Sequence, residues 1–318
     1  MALKSALKDR SPEFVRSAYR EGSLWLGLLT SRNARFLRFA PPGHFYSPIP
    51  DIDDVRRDPG QDAGRSADSV PGVALNDEGQ VRLCRDFAAV YGEMPFPEQP
   101  RADCRYHLDN EWFAYGDGIV LYSMMRTFAP ARIVEVGSGF SSAAMLEVDD
   151  RFFEGRTRLT FIDPYPERLR GLLGAADPAR CRIIEAPVQE APLDVFAELA
   201  AGDLLFIDSS HVAKAGSDLL HLVFTVLPAL PSGVLVHFHD ILWPFEYPQL
   251  WYGQGRAWNE AYFVRALLQD SAAFEVVYFN SFMEAVHRDL VGDLLPLALA
   301  PATAATTPSN SSLWIRKL

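Results

Sequence analysis

The sequence predicts an α/β protein built on a doubly wound parallel sheet, and three observations carry that reading. From Arg132 onward, short apolar runs alternate with helix-like stretches. The first run ends in a glycine turn, Gly137-Ser138-Gly139, which leads directly into a helical pattern. The later runs end in carboxylates and imidazoles, at the strand ends where open α/β sheets bind ligands.

The expected strands cover residues 133–136, 159–162, 182–185, 204–207 and 234–238. Helices fit between them at residues 141–147, 167–174, 192–199 and 217–227. Alternation of this kind implies βαβ units. Two more strands are expected at residues 274–280 and 313–317, separated by a Pro/Ala/Thr/Ser/Asn loop at 301–312. Upstream, residues 1–40 read as one or two amphipathic helices, at 12–21 and 23–36. Residues 41–80 are rich in Pro, Gly and Asp and read as irregular. Further helices are expected at 81–92 and 116–128, the second with Asp117 as N-cap. Residues 1–114 are therefore expected to be an extension, either a cap over a substrate mouth or an oligomer contact. Residues 115–318 are expected to form the catalytic domain.

Composition narrows the partners. The chain has 318 residues and a net charge of −11, from 30 basic and 41 acidic side chains, with no long basic run. That pattern argues against a phosphate-backbone footprint and for a small-molecule substrate. The three cysteines, Cys84, Cys104 and Cys181, are too scattered for a disulfide framework or a zinc motif and read as reduced thiols. The apolar stretch at 24–29 is too short to span a bilayer, and no apolar run of signal-peptide length directly follows Lys4, Lys8 and Arg10. A cytoplasmic protein is expected, with no membrane partner. The N-terminal helices leave homo-oligomerisation open.

The glycine turn points to a nucleotide-like cofactor. Gly137 and Gly139 would let the backbone turn tightly and approach a ligand, with Ser138 between them. Ser141 or Ser142 would cap the following helix. A dinucleotide fingerprint wants a third glycine at position 142, which is Ser142. Glu135, two places before Gly137, would stand beside the positive amino-acid end of S-adenosylmethionine, where a pyrophosphate would be repelled. Asp163, at the end of the second strand, is placed to accept from two ribose hydroxyls. Val188 and Gln189, after the third strand, are placed to pass the adenine edge.

With these residues in view, positions 115–318 resemble the class I S-adenosylmethionine-dependent methyltransferases, a Rossmann-like superfamily. The resemblance rests on Glu135-x-Gly137-x-Gly139, Phe161-Ile162-Asp163, the run from Asp203 to Asp208, and the run from Gly233 to Asp240. It implies a seven-stranded sheet whose last strand, here Leu313-Trp314-Ile315-Arg316-Lys317, is inserted antiparallel. Ser141 departs from the family, which often has a third glycine there; a negative φ would accommodate it.

A second cluster follows the fourth and fifth strands: Asp208-Ser209-Ser210-His211 and His237-Phe238-His239-Asp240. Two carboxylates and an imidazole suit a divalent cation: oxygen-dominated ligation favours Mg²⁺ or Ca²⁺, and added His moves the preference towards Mn²⁺, Fe²⁺ or Zn²⁺. His237, one step deeper, reads as a packed, hydrogen-bonded residue. Within the superfamily the cluster resembles metal-dependent small-molecule and sugar O-methyltransferases and the cephalosporin-hydroxylase-like branch. That resemblance implies that Asp208 is the first metal ligand and contacts the cofactor side, that His239 and Asp240 are the ligand pair after the fifth strand, and that the ion is Mg²⁺ or Mn²⁺. It also implies that His211 is the general base for an acceptor hydroxyl. The substitution of His239 for the usual carboxylate leaves the metal's identity open. A non-catalytic cofactor-binding protein and a dinucleotide oxidoreductase are the alternatives.

An aromatic run follows, with Trp243, Phe245, Tyr247, Trp251, Tyr252, Trp258, Tyr262 and Phe263. It reads either as a pocket wall beside the site or as a hydrophobic subcore. Arg256, Asn259 and Glu260 are candidate polar recognition residues within it. The stretches 44–48, 106–107 and 110–111 are expected near the same mouth.

Overall fold

In a computed structural model that describes residues 34–57, 69–174, 177–303 and 308–318, each apolar run forms a strand. These are β1 (Arg132–Val136), β2 (Arg158–Ile162), β3 (Cys181–Ile184), β4 (Leu204–Ile207), β5 (Leu235–Phe238), β6 (Phe274–Phe279) and β7 (Leu313–Lys317). They make one sheet in the order β3-β2-β1-β4-β5-β7-β6. The pairs from β3 to β5 are parallel, and β7 runs antiparallel to both β5 and β6. The chain reverses direction across the sheet between β1 and β4, so a crevice opens at the carboxyl ends of those two strands.

Burial explains the strand sequences. All four residues of β4, Leu-Leu-Phe-Ile, are buried, as expected of a parallel strand covered on both faces. Parallel and antiparallel register place Phe161, Glu135, Phe206, His237 and Trp314 in one transverse row across five strands. All five are 0 % exposed. Two titratable groups thus lie inside an otherwise apolar row.

The flanking helices depart in detail from expectation. The helix after the glycine turn is longer, Phe140–Phe152, and its N-cap is Gly139 rather than a serine. The helix between β3 and β4 is only Asp194–Ala197. Asp117 is not an N-cap. Ala114 holds that place in the helix Tyr115–Phe128. Asp117 turns inward instead, accepting from the Ser312 hydroxyl at 2.6 Å, the Ser311 amide at 2.9 Å and the Asn280 amide at 3.0 Å. The three cysteines are free.

The chain divides into two compact units: Met1–Asp58 with Tyr252–Ala257, and Pro59–Trp251 with Trp258–Leu318. Position 114, the expected start of the catalytic domain, lies inside the larger unit. Residues before 114 join the larger unit because the helix Asp77–Tyr91 lies against β6. Phe87 packs 5.1 Å from Tyr278, and the Gln80 side chain accepts from the Phe279 amide at 2.7 Å. In the smaller unit, the short helices Ala34–Phe39 and Ile52–Arg57 flank a turn where His44 stacks on Phe45 at 4.3 Å. The expected helix at 12–21, most of that at 23–36 and the apolar stretch at 24–29 lie outside the described residues. Among the described residues no helix is long and apolar enough to cross a membrane.

Candidate active site

The glycine turn packs against the next strand end. Gly137 has φ +82°, and a Cβ there would stand 1.8 Å from the carbonyl oxygen of Asp208. Only glycine meets both demands. Gly139 is different: its φ of 168° is extended backbone open to any residue. A Cβ on Gly139 would come 3.1 Å from the flexible Arg168 side chain. Ser141 lies within the helix and is not among the residues with positive φ, so the missing third glycine is accommodated.

Glu135 is fully buried. Its carboxyl group accepts from the hydroxyls of Ser141 and Ser142, each at 2.5 Å, while Ser142 also accepts from the Gly139 amide at 3.0 Å. Burial pushes its pKa up to about 8, the two serine hydroxyls oppose the rise, and the Asp208 and Asp163 charges add to it. Near neutrality it is mostly uncharged. Through the two serines it ties the turn and the start of the following helix to β1. Asp163 is half-buried and faces the turn. One oxygen accepts from the Ser138 amide at 2.9 Å and the Ser138 hydroxyl at 2.7 Å, and the other accepts from the Tyr165 amide at 2.8 Å. A carboxylate has about four acceptor positions, so Asp163 can hold the turn and still receive a further donor. Gln189 is exposed and donates to the Gly216 carbonyl at 2.8 Å, bridging the loops after β3 and β4. Val188 is buried beside it.

Asp208, His211, His239 and Asp240 do converge, and the imidazole of His211 is their centre. Its Nε2 lies 3.4 Å from Asp208 Oδ1 and 3.7 Å from Asp240 Oδ2. Its Nδ1 lies 2.7 Å from Oε2 of Glu260, whose side chain is 1 % exposed. The backbone repeats the tie, since the His211 carbonyl accepts from the Asn259 and Glu260 amides at 3.1 and 3.2 Å. His211 and Asp240 both adopt left-handed backbone, with φ of 58° and 55°. Each such non-glycine residue costs about 1–3 kcal/mol and persists only where the surroundings fix it.

The charges follow from this packing. Burial alone would lower the His211 pKa, but the hydrogen bonds the imidazole donates to Asp208 and Glu260 and the charges of Glu260 and Asp240 raise it well above the ordinary value. Burial raises the Glu260 pKa against the opposing pull of the His211 hydrogen bond and charge. Burial would raise the Asp208 pKa, but His239, His211 and Arg168 bring it below the usual carboxylate range. Asp208 is about one-third exposed and anionic, the charge that Glu135 does not provide. Burial works to lower the His239 pKa, yet the charges of Asp240, Asp208 and Asp117 leave it raised. His237 is packed as expected, stacked 3.8 Å from Phe206, but neither ring nitrogen has a hydrogen-bond partner. Burial, with the nearby His239 charge, drives its pKa well below the ordinary value.

The expected metal ligands do not fit a resident divalent ion as placed. Among the described residues no group of three or more His, Cys, Asp or Glu side chains is arranged to hold one. Asp208 and Asp240 address His211 instead, and His239 reaches Asp240 only at 3.8 Å through Nε2 while its Nδ1 is buried without a partner.

The aromatic run is largely a subcore. Trp243, Phe245, Tyr247 and Trp251 are 5 % exposed or less. Trp258 is the exception that reaches the site, with its ring 4.3 Å from that of His211. On the other side, Phe113 packs 5.1 Å from His239, His107 lies 5.9 Å from Phe140, and Arg168 stacks over Trp112 at 4.2 Å. The 106–113 segment therefore borders both the turn and the strand ends. Trp258 is legible as part of the aromatic run and Glu260 as a polar residue within it, whereas nothing local in the sequence marks Phe113 or Arg168.

Comparison with known proteins gives a consistent picture. A family model described as a methyltransferase domain matches residues 134–241. A curated uncharacterized protein of Archaeoglobus fulgidus is 34% identical over 164 residues, spanning 50% of this chain and 73% of its own length. Among solved structures, the SAH-bound methyltransferase PaMTH1 of Podospora anserina is 16% identical, with 79% of this chain and 99% of that chain covered at a TM-score of 0.38. The O-methyltransferase TomG of Streptomyces achromogenes, in complex with SAM, is 15% identical, with 61% and 80% covered at a TM-score of 0.35. At these scores the two structures add nothing to the fold already described.

Proposed function

As residues 134–241 match a family model described as a methyltransferase domain, we propose that the chain is a class I S-adenosylmethionine-dependent methyltransferase that methylates an oxygen of a small hydroxylated acceptor, such as a sugar or secondary metabolite, with His211 as general base. The observation that carries this reading is the setting of His211: Nδ1 is held by Glu260, and Nε2 is aimed between Asp208 and Asp240 at the ends of β4 and β5.

The residues present fit the cofactor. Asp163 has spare acceptor capacity beside the turn, Gly137 keeps that turn tight against β4, and Asp208 supplies a partly exposed negative charge. Bound there, S-adenosylmethionine supplies an electrophilic methyl group on a positive sulfur. An alcohol is a poor nucleophile until its proton is taken, and that proton passes to Nε2 of His211. The imidazolium so formed is stabilised by Asp208, Asp240 and Glu260. Strong stabilisation favours proton abstraction but leaves little neutral imidazole at neutral pH, so turnover should favour alkaline conditions. Trp258 offers the acceptor an aromatic wall beside the base. No step in this reading passes through a metal.

The test is transfer of isotope-labelled methyl from S-adenosylmethionine to a panel of hydroxylated acceptors, with His211→Asn alongside. Labelled ether product formed by the native chain, and lost in the variant while cofactor binding persists, is the expected result. Methyl transfer unaffected by the substitution would remove His211 from the mechanism. Product carrying the label on nitrogen would replace the oxygen acceptor.

A further inference from the structure

The amino-terminal ends of β1, β2 and β3 carry a feature that methyl transfer does not use. Arg132 and Arg158 are register partners on adjacent parallel strands, and Thr160 and Arg182 are partners one step along. Because side chains alternate along a strand, Arg132, Arg158, Thr160 and Arg182 share one face of the sheet. That face is thinly covered. Arg158 and Arg182 are exposed and Thr160 is half-buried, whereas Leu159 and Phe161 on the opposite face are 3 % and 0 % exposed. The reason is the crossover between β3 and β4, whose helix Asp194–Ala197 has four residues. It spans about 6 Å at 1.5 Å per residue. The strands beneath are roughly 15 Å long.

The space left is a cavity of about 370 Å³, lined by Arg132, Arg158, Thr160, Arg182, Arg180 and Glu198 among others. Its charge is unbalanced. Arg180 is neutralised by Asp149, Asp150 and Asp177. Arg132 meets Asp203 through one terminal nitrogen at 3.2 Å, while its Nε is buried with no hydrogen-bond partner. Arg158 and Arg182 form no ion pair among the described residues, and Glu198 pairs with none of the four arginines within 4.0 Å. Like charges directly opposed on neighbouring strands are unfavourable unless something offsets them. Here they line a cavity in a chain whose net charge is −11.

We infer that this cavity is a binding site for a compact multivalent anion of the diphosphate class, separate from the reaction site at the opposite strand ends. Planar guanidinium forks suit phosphate oxygens bidentately. Two unpaired arginines with an orphaned donor between strands match a ligand with two linked phosphoryl groups better than a single one. The site is independent of the identity of the methyl acceptor.

The test is calorimetric titration of the full chain, already saturated with S-adenosylhomocysteine so that the cofactor crevice is occupied. The probes are inorganic pyrophosphate, inorganic phosphate and a nucleoside diphosphate, each at physiological salt. One-to-one binding of pyrophosphate is expected, with phosphate at least tenfold weaker. The nucleoside diphosphate arm tells a free diphosphate from an ester. Arg158→Gln with Arg182→Gln should weaken pyrophosphate at least tenfold and leave methyl transfer unchanged. Arg158→Lys, which keeps the charge, should retain part of the affinity and guards against a folding defect in the double variant. No heat from pyrophosphate, or equal affinity in native and double-variant chains, overturns the proposal.

Discussion

Nδ1 of His211 stands 2.7 Å from Oε2 of Glu260, and this one contact orders the site. With Nδ1 committed, only Nε2 is left to face Asp208 and Asp240. Glu260 thus fixes both the tautomer and the aim of the ring, as a positioning residue behind a base.

Glu260→Gln should therefore slow turnover without abolishing cofactor binding. We expect kcat to fall about 10- to 100-fold, a fraction of what a general base contributes, with KM for the cofactor nearly unchanged. The pH profile adds a signature that a purely structural role would not produce. His211 must be neutral to accept a proton, and its pKa is raised well above the ordinary value, so kcat/KM should climb on the alkaline side of neutrality. Removing the Glu260 charge lowers that pKa, and the rising limb should move to lower pH. A rising limb that stays in place in the variant would sever Glu260 from the titration of His211.

Chelators bear on the expected metal. Because Asp208 and Asp240 flank an imidazole rather than a shared donor point, turnover after treatment with EDTA and desalting should match that of the untreated enzyme. Activity lost to the chelator and restored by Mg²⁺ or Mn²⁺ would return Asp208, His239 and Asp240 to a metal role.

Much of the fold was legible because each strand is a short apolar run bounded by turn residues, a local signal. The insertion of β7 between β5 and β6 was legible only through family resemblance, since pairing order leaves no trace in periodicity. The site was half legible. Asp208, His211 and Asp240 sit at strand ends, where position alone suggests function. Glu260 lies 49 residues from His211, and its role depends on how the chain returns. The surroundings of Glu135 are likewise set by long-range pairing. Its place two residues before Gly137 suggested a ligand contact, whereas register sets it in the row with Phe161 and Phe206. Asp117 looked like a cap because its partners, Ser311 and Ser312, lie 194 and 195 residues away.

Glu135 should make stability fall as pH rises. Its folded pKa, about 8, stands above the ordinary value of 4.5 because burial disfavours its charge. The unfolded chain therefore releases the proton first. The stabilisation is complete below about pH 4.5 and is lost as pH climbs towards 8. The size is on the order of a few kcal/mol, since each tenfold change in proton affinity is worth about 1.4 kcal/mol. Glu135→Gln keeps hydrogen-bonding groups for Ser141 and Ser142 but cannot ionise. Thermal unfolding followed from about pH 5 to pH 8, the span of that titration, should show a shallower decline in Tm for the variant. Equal slopes would mean that Glu135 does not carry the proton.

The two glycines of the turn should behave differently when each is replaced by alanine. Gly137→Ala adds a Cβ at φ +82°, 1.8 Å from a backbone carbonyl that cannot swing away. It should destabilise the fold by about 3 kcal/mol or more and disrupt cofactor binding, since the turn must move off β4. Gly139→Ala has extended backbone and meets only the Arg168 side chain, at 3.1 Å. It should cost much less than Gly137→Ala, because the atom met belongs to a flexible side chain rather than to backbone. Urea unfolding of both variants, with cofactor titration of each, measures the contrast. Comparable losses at the two positions would mean that the turn is held by ligand approach at both glycines rather than by packing of Gly137 on Asp208.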